Sequence, residues 1–205
     1  MQARAIQAVV WSDYLCPWCY LGRDRTALLE SLGVTVTPLP YDLHPELPPV
    51  GRRVSPSGRL AEVHARIGAE CAAVGLPFNP PEHIPSTRLA LSAGEVVRAR
   101  RPDAFAALDA ALFDAVFVTD EDIGDPKVLA EVVSRSGVDG GEVVDAVARG
   151  EGADEVRASI DAAHEVGVTG TPAWLLDGRL LIPGVQDRET IERWVARLTA
   201  RPSSG

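Results

Sequence analysis

Lysine is all but missing from this chain. Of its 20 basic residues only Lys127 is not arginine, a bias of coding to which no mechanism attaches. Basic residues are also outnumbered, by 29 Asp and Glu, which leaves a formal charge of -9 at pH 7. That balance argues against a nucleic-acid backbone or an anionic membrane as partner. No apolar run approaches the ~18–20 residues needed to cross a bilayer. The opening "MQARAIQAVVWSDYLC" carries one Arg and an apolar stretch too broken for a signal-peptide core. Cleavage there would also remove a strand. The expected location is therefore cytoplasmic. Cysteine is scarce as well, with three in 205 residues. In the cytoplasm structural disulfides are rare, and a Cys pair is usually catalytic or metal-binding.

What the chain does have is an ordinary globular composition, 46% hydrophobic and 24% charged. It is long enough to bury roughly 70% of its unfolded surface without staples. "AIQAVVW" reads as a buried strand. "YLGRDRTALLESLG" places Leu21, Leu28, Leu29 and Leu32 at helical spacing, with Gly33 as a stop. "VTVTPLPYDL" alternates as a second strand, and Pro38 and Pro40 point to a sheet edge or an early exit. From about Leu60 the period changes. Leu60, Val63, Ile67, Cys71 and Val74 make one helical stripe, and Phe105, Leu108, Leu112 and Val116 another. "GDPKVLAEVVSRSG" is a marked helix, with Asp125 as cap, Pro126 in the first turn and Gly137 at the end. "GEVVDAVARG" and "ADEVRASIDAAHEVG" follow as two more. In "AWLLDGRLLIPG", Asp177-Gly178 between apolar runs signals a hairpin. "DRETIERWVARLTA" closes as a helix with Ile191, Trp194, Val195 and Leu198 inward. The predicted architecture is α/β: β-α-β, then an all-helical stretch, then β-β-α. Residues 1–56 and 167–205 would form a discontinuous core, and 57–166 a helical insertion domain.

Between the first strand and its helix lies "SDYLCPWCYLG". Cys16 at a helix N-terminus meets the unsatisfied N–H groups and the positive dipole end, both of which favour a thiolate. Pro17 suits the first helical position, where no N–H is needed. Cys19 is one turn on, close enough to close a disulfide with little backbone movement. A CxxC that follows a strand and opens a helix within β-α-β is the thioredoxin-like pattern. Structural zinc wants four ligands. Only Cys71 remains, and His44, His64, His83 and His164 lack ligand spacing, so no metal is expected. Two inert core thiols are the other alternative. They would make this placement an accident.

"SDYLCPWCYLG" near the start and "GVTGTPAWLLDGRLLIPGVQ" near the end, with helices between, resemble the DsbA-like branch of the thioredoxin superfamily. Within it the likeness is to the FrnE-like dithiol oxidoreductases. The resemblance implies a thioredoxin-like fold, with Cys16 as the exposed nucleophile and Cys19 as the resolving thiol. It also implies that Pro172 is a cis-proline facing them, and that Thr171 offers backbone hydrogen bonds to substrate. Pro17 and Trp18 would tune the redox potential. "YDLHPELPP" resembles the exit from the second strand, and "PSTRLA" the start of a helix lining a substrate groove.

Softer candidates surround the motif. Asp13, if buried, could have its pKa raised and accept a proton from Cys19; the alternative is a solvated turn cap. Cys71 sits on an apolar stripe and reads as a small hydrophobe rather than a third redox group. His44 could lie near the cysteines or on a surface loop. His164 reads as a packed or half-exposed residue. Arg88 and Ser86 could hold carboxylates of a small thiol, or be solvated. Trp11, Trp174 and Trp194 read as core.

The expected activity is thiol-disulfide exchange with protein or low-molecular-weight thiol substrates, through the redox-active Cys16–Cys19 disulfide. No tightly bound cofactor is expected, and a low-molecular-weight thiol could serve as co-substrate. Nucleic acid and membrane are not expected as partners. Two rivals stand beside it. One is a small-thiol-dependent isomerase or transferase resembling 2-hydroxychromene-2-carboxylate isomerase or kappa-class glutathione transferase, against which the presence of Cys19 counts. The other is a non-catalytic binding module or chaperone using the groove between core and helices.

Overall fold

The computed structural model describes residues 6–55 and 57–200. The run Gln7–Ser12 forms β1, which sits inside a four-stranded sheet of order β2-β1-β5-β6. β2 (Thr35–Pro40) runs parallel to it, β5 (Ala173–Leu176) pairs antiparallel with β1, and β6 (Leu180–Pro183) pairs antiparallel with β5. β2 is an edge strand, which explains how it tolerates Pro38 and Pro40. Between β1 and β2 lies α1 (Pro17–Ser31), and α8 (Arg188–Ala200) follows β6.

Strand alternation divides the core. Ala8 and Val10 of β1, with Trp174 and Leu176 of β5, pack against Leu28 and Leu29 of α1 and Ile191 and Val195 of α8. Trp11 and Ala173 point the other way, against Tyr41, Ala163 and Val168. Both faces of β1 are covered, which is why "AVVW" shows no polar alternation. At the hairpin, Asp177 and Gly178 take positive φ values of 52° and 66°, and the Arg179 N–H donates to the Leu176 carbonyl. This is the turn expected of an Asp-Gly pair.

Between β2 and β5 run α2 (Arg59–Ala73), α3 (Arg88–Arg100), a 3-10 turn (Pro102–Ala104), α4 (Phe105–Phe117), α5 (Pro126–Ser134), α6 (Gly140–Ala148) and α7 (Ala153–Glu165). Ile67, Cys71, Leu108, Leu112 and Val116 are buried as their stripes predict, whereas Val63 and Val74 are only partly covered. Asp125 caps α5 by accepting from the N–H groups of Lys127 and Val128. The stretch 57–166 is not wholly helical. β4 (His83–Ile84) pairs antiparallel with β3 (Arg52–Arg53), two residues against two. A ladder that short has no periodicity to read in a sequence. No helix among the described residues is long and apolar enough to cross a membrane.

The two halves share one core. Tyr14, Cys16, Cys19, Tyr20 and Leu21 belong to the same apolar cluster as Ile67, Leu91, Leu112, Phe117 and Leu129 of the intervening helices. Polar stitches reinforce it: the Trp11 indole N–H donates to the Ser159 carbonyl at 3.1 Å, and the Ser159 hydroxyl donates to the Pro40 carbonyl at 2.7 Å.

Candidate active site

β1 ends at Ser12, and a tight turn follows in which the Cys16 N–H donates to the Asp13 carbonyl at 3.1 Å. Cys16 is the N-cap of α1, in an extended conformation (φ -87°, ψ 110°), and Pro17 occupies the first turn. The locally encoded turn thus delivers Cys16 to a helix N-terminus. All three cysteines are free thiols. Cys16 is not exposed as expected: like Cys19 it is only 3% accessible. The surrounding helices, whose side chains join its cluster, cover it.

The two thiols differ in acidity. A hydrogen bond from the Cys19 thiol lowers the Cys16 pKa, against the opposing effect of burial, and the Thr171 side chain and the Cys19 backbone N–H act in the same direction. Burial pushes Cys19 well up, and its hydrogen bond to Cys16 and the proximity of that sulfur add to the rise. Cys16 is therefore the more acidic thiol of the pair and Cys19 the one that holds its proton more tightly. Across from it, the Thr171–Pro172 bond is cis, and Cys16 Sγ lies 3.5 Å from the Thr171 carbonyl oxygen. The Thr171 hydroxyl is buried, and its lowering effect on both thiols places it against the two sulfurs. Gly22 lets α1 approach this loop, because a Cβ there would lie 3.2 Å from Trp174 Cη2 and 3.4 Å from Pro172 Cγ.

Asp13 is fully buried. Its carboxylate accepts from the N–H groups of Leu43 (2.7 Å) and Leu15 (3.3 Å). Burial nevertheless raises its pKa to about 6, against the lowering effect of these bonds and of the Thr87 hydroxyl. The carboxyl is thus a buried group near neutrality and not a solvated cap. Trp18 is half-buried, and the Arg66 guanidinium stacks over its ring at 4.7 Å.

The other candidates are engaged elsewhere or buried. His44 is exposed and pairs with Glu46 at 2.8 Å. His164 is exposed, and its Nε2 meets the Tyr41 hydroxyl at 3.2 Å. Arg88 spends its guanidinium on the carbonyls of Pro45 and Leu47, which leaves no open fork for a carboxylate. Cys71 is wholly buried, and burial pushes its thiol up to about 11. Among the described residues no three His, Cys, Asp or Glu side chains are grouped so as to hold a metal.

One group escaped the sequence reading. Asp109 of α4 accepts from the Tyr14 hydroxyl at 3.1 Å, and burial raises its pKa to about 6. It lines a cavity of about 420 Å³ whose floor is β1 and β2 and whose walls include Cys19, Phe113, Pro172 and Trp174. The signal was present: Asp109 follows Phe105 by four residues, on the apolar face of its helix.

An acidic N-cap thiol, a protonated partner one turn on and a facing cis-proline on a thioredoxin-type sheet define a thioredoxin-fold protein of the oxidoreductase class. The chain belongs to the DSBA-like thioredoxin domain family, whose pattern matches residues 7–196. Its fold is similar to that of the probable DsbA oxidoreductase SCO1869 from Streptomyces coelicolor, with a TM-score of 0.86 and 25% identity over 98% of this chain and 93% of that one. It is also similar to a 2-hydroxychromene-2-carboxylate isomerase (TM-score 0.72, 21% identity, 94% of this chain and 95% of that one). A third likeness is to the cytosolic disulfide reductase DsbM from Pseudomonas aeruginosa, at TM-score 0.65 and 19% identity over 94% of this chain and 96% of that one.

Proposed function

We propose that the protein is a dithiol-disulfide oxidoreductase of the FrnE-like kind that acts in the cytoplasm through Cys16 and Cys19. The observation that carries this is geometric: Cys16 caps α1 with Cys19 a turn on, and Cys16 Sγ lies 3.5 Å from the Thr171 carbonyl oxygen of the facing loop. The pKa directions, Cys16 lowered and Cys19 raised, agree with it. In the reducing direction, the Cys16 thiolate attacks a substrate disulfide and expels one substrate thiolate, leaving a mixed disulfide. Cys19 then gives up its proton, with Asp13 as acceptor, and its thiolate attacks Cys16 Sγ. The second substrate thiolate leaves, and the protein carries the Cys16–Cys19 disulfide. Two electrons have passed to the substrate, and the oxidising direction is the reverse. Thr171 and Pro172 would receive the substrate chain, while Pro17 and Trp18 tune the potential. A low-molecular-weight thiol would serve as co-substrate.

The test is the reduction potential of the pair in a Cys71→Ser background, equilibrated against a defined thiol buffer. Reference dithiol proteins run from about -270 mV for a reductase to about -120 mV for a strong oxidant. A reversible two-electron couple in or near this range supports the proposal and assigns its direction. Absence of any such couple sinks it.

A small-thiol-dependent isomerase is the second reading, favoured by the cavity that reaches Cys19 beside Pro172 and Trp174. Such chemistry needs no resolving thiol. Isomerase activity that survives Cys19→Ala would establish it.

A further inference from the structure

The segment from β3 through α2, residues 52–73, is basic in an acidic protein. It holds Arg52, Arg53, Arg59 and Arg66 against Glu62 and Glu70, while the whole chain carries -9. All four arginines are exposed. Many guanidinium groups elsewhere are spent on carboxylates, as in Arg23 on Asp114, Arg135 on Glu121 and Arg188 on Asp24. None of the four makes an ion pair among the described residues.

The segment is anchored to the redox motif at both ends. At one end the Arg66 guanidinium lies on the ring of Trp18, the residue between Pro17 and Cys19. A cation held on an indole face keeps its charge and its outer N–H donors available. At the other, β3 pairs with β4, and the chain leaving β4 carries Thr87, whose hydroxyl faces the Asp13 carboxylate. Arg59 and Arg66 stand seven residues apart, two turns along one side of α2. Positive charge therefore borders the dithiol on a molecule whose net field repels anions.

We propose that Arg52 and Arg53 of β3 with Arg59 and Arg66 of α2 form a cationic flap that selects substrate disulfides bearing carboxylates close to the reacting sulfur, with Arg66 as the contact nearest the motif. This rests on the dithiol reading above and names its substrate class. The exchange itself is unchanged. Cys16 thiolate displaces one substrate thiolate, Cys19 displaces the second, and the anionic disulfide becomes two thiols as the protein becomes a disulfide. Arg66 holds the carboxylate in the encounter and takes no part in bond exchange. It is a specificity residue.

The experiment measures second-order rates at which the reduced protein, in a Cys71→Ser background, reacts with three disulfides of similar length. These are dianionic 3,3′-dithiodipropionate, neutral 2-hydroxyethyl disulfide and dicationic cystamine. A thiolate on a protein of net charge -9 would, without the flap, react in the order cation, neutral, anion. The expected result is the opposite order, with the anion ahead of the cation by about tenfold or more at low ionic strength. The ratio should fall with added salt. Arg66→Gln should cut it several-fold, and removal of all four arginines should invert it. Arg179→Gln, an exposed arginine on the hairpin turn at the far end of β5, should leave it unchanged. Equal rates for all three probes, or an Arg66→Gln variant with the wild-type ratio, would overturn the flap and leave the dithiol reading standing. No reaction with any of the three would overturn both.

Discussion

Cys16 Sγ and the carbonyl oxygen of Thr171 lie 3.5 Å apart, although 155 residues separate them in the chain. A thiol can donate to that oxygen and a thiolate cannot, so the contact favours the protonated sulfur. The Thr171 hydroxyl works the other way. Replacing Thr171 by Val keeps the shape and the carbonyl while deleting the hydroxyl. The Cys16 pKa should then rise, and alkylation by iodoacetamide at neutral pH should slow about three- to tenfold. The pH dependence of alkylation reads the shift directly.

Cys19, through its S–H, is the largest cause of the lowering of the Cys16 pKa. Cys19→Ser retains a donor and Cys19→Ala does not. Both should stop at the mixed disulfide and lose steady-state turnover by about a hundredfold or more. Only the alanine variant should also raise the Cys16 pKa substantially. Equal pKa values in the two variants would remove the hydrogen bond from the account.

Asp13 makes a prediction about stability. Its folded pKa of about 6 stands above the ordinary 3.8. Between those values the folded state binds more protons than the unfolded one, so stability falls as pH rises from about 4 to 6 and stays lower above. At 1.36 kcal/mol per pKa unit, the loss due to this group is roughly 3 kcal/mol. Asp13→Asn should abolish that component. Denaturant titrations at pH 4 and pH 7 measure it as the difference between the two proteins' pH slopes, a comparison in which Asp109 cancels.

A Cβ at Gly22 would press to 3.2 Å against Trp174, which is 1% exposed and packed on all sides, so the ring would have to give by a few tenths of an ångström. Gly22→Ala gains about 1 kcal/mol in helix propensity but overpacks the α1–β5 contact at about 1–3 kcal/mol. A net loss near 1 kcal/mol is expected in urea unfolding. Because α1 must lift from Pro172, slower Cys16 alkylation should accompany it.

Cys71 should be silent. With the thiol wholly buried and its pKa near 11, two thiols should react with 5,5′-dithiobis(2-nitrobenzoate) in the native reduced protein and a third only after unfolding. A third native thiol would return Cys71 to the redox candidates.

The site was legible in the sequence where chemistry is local. The strand, the CPWC turn and the helix after it are contiguous, so Cys16, Pro17 and Cys19 declared their geometry by spacing alone. The Asp177-Gly178 turn did the same. What escaped depends on contacts between distant segments. The burial of Cys16 comes from helices that begin more than forty residues later. Asp13 offered two readings until Leu43 and Thr87 enclosed it, and Asp109 became significant only when Tyr14 reached it. Arg88 had the donor set for a carboxylate, and backbone carbonyls of a loop took it first. A two-residue ladder such as β3–β4 is set by register, which no hydrophobic period encodes.

The shared core has a further consequence. Tyr14, Tyr20 and Leu21 of the redox segment are buried among side chains from α2 to α6, and the Trp11 indole is tied to α7. The helices are thus not a detachable accessory. Excising them would strip the strand–turn–helix of the cover that keeps its thiols from water and would leave several aromatic rings bare. Grafting helices from a relative would require the motif's own neighbours to be exchanged along with them. Heritable change in this architecture is constrained to pass through the few residues on either side of the CPWC turn, since they serve both halves at once.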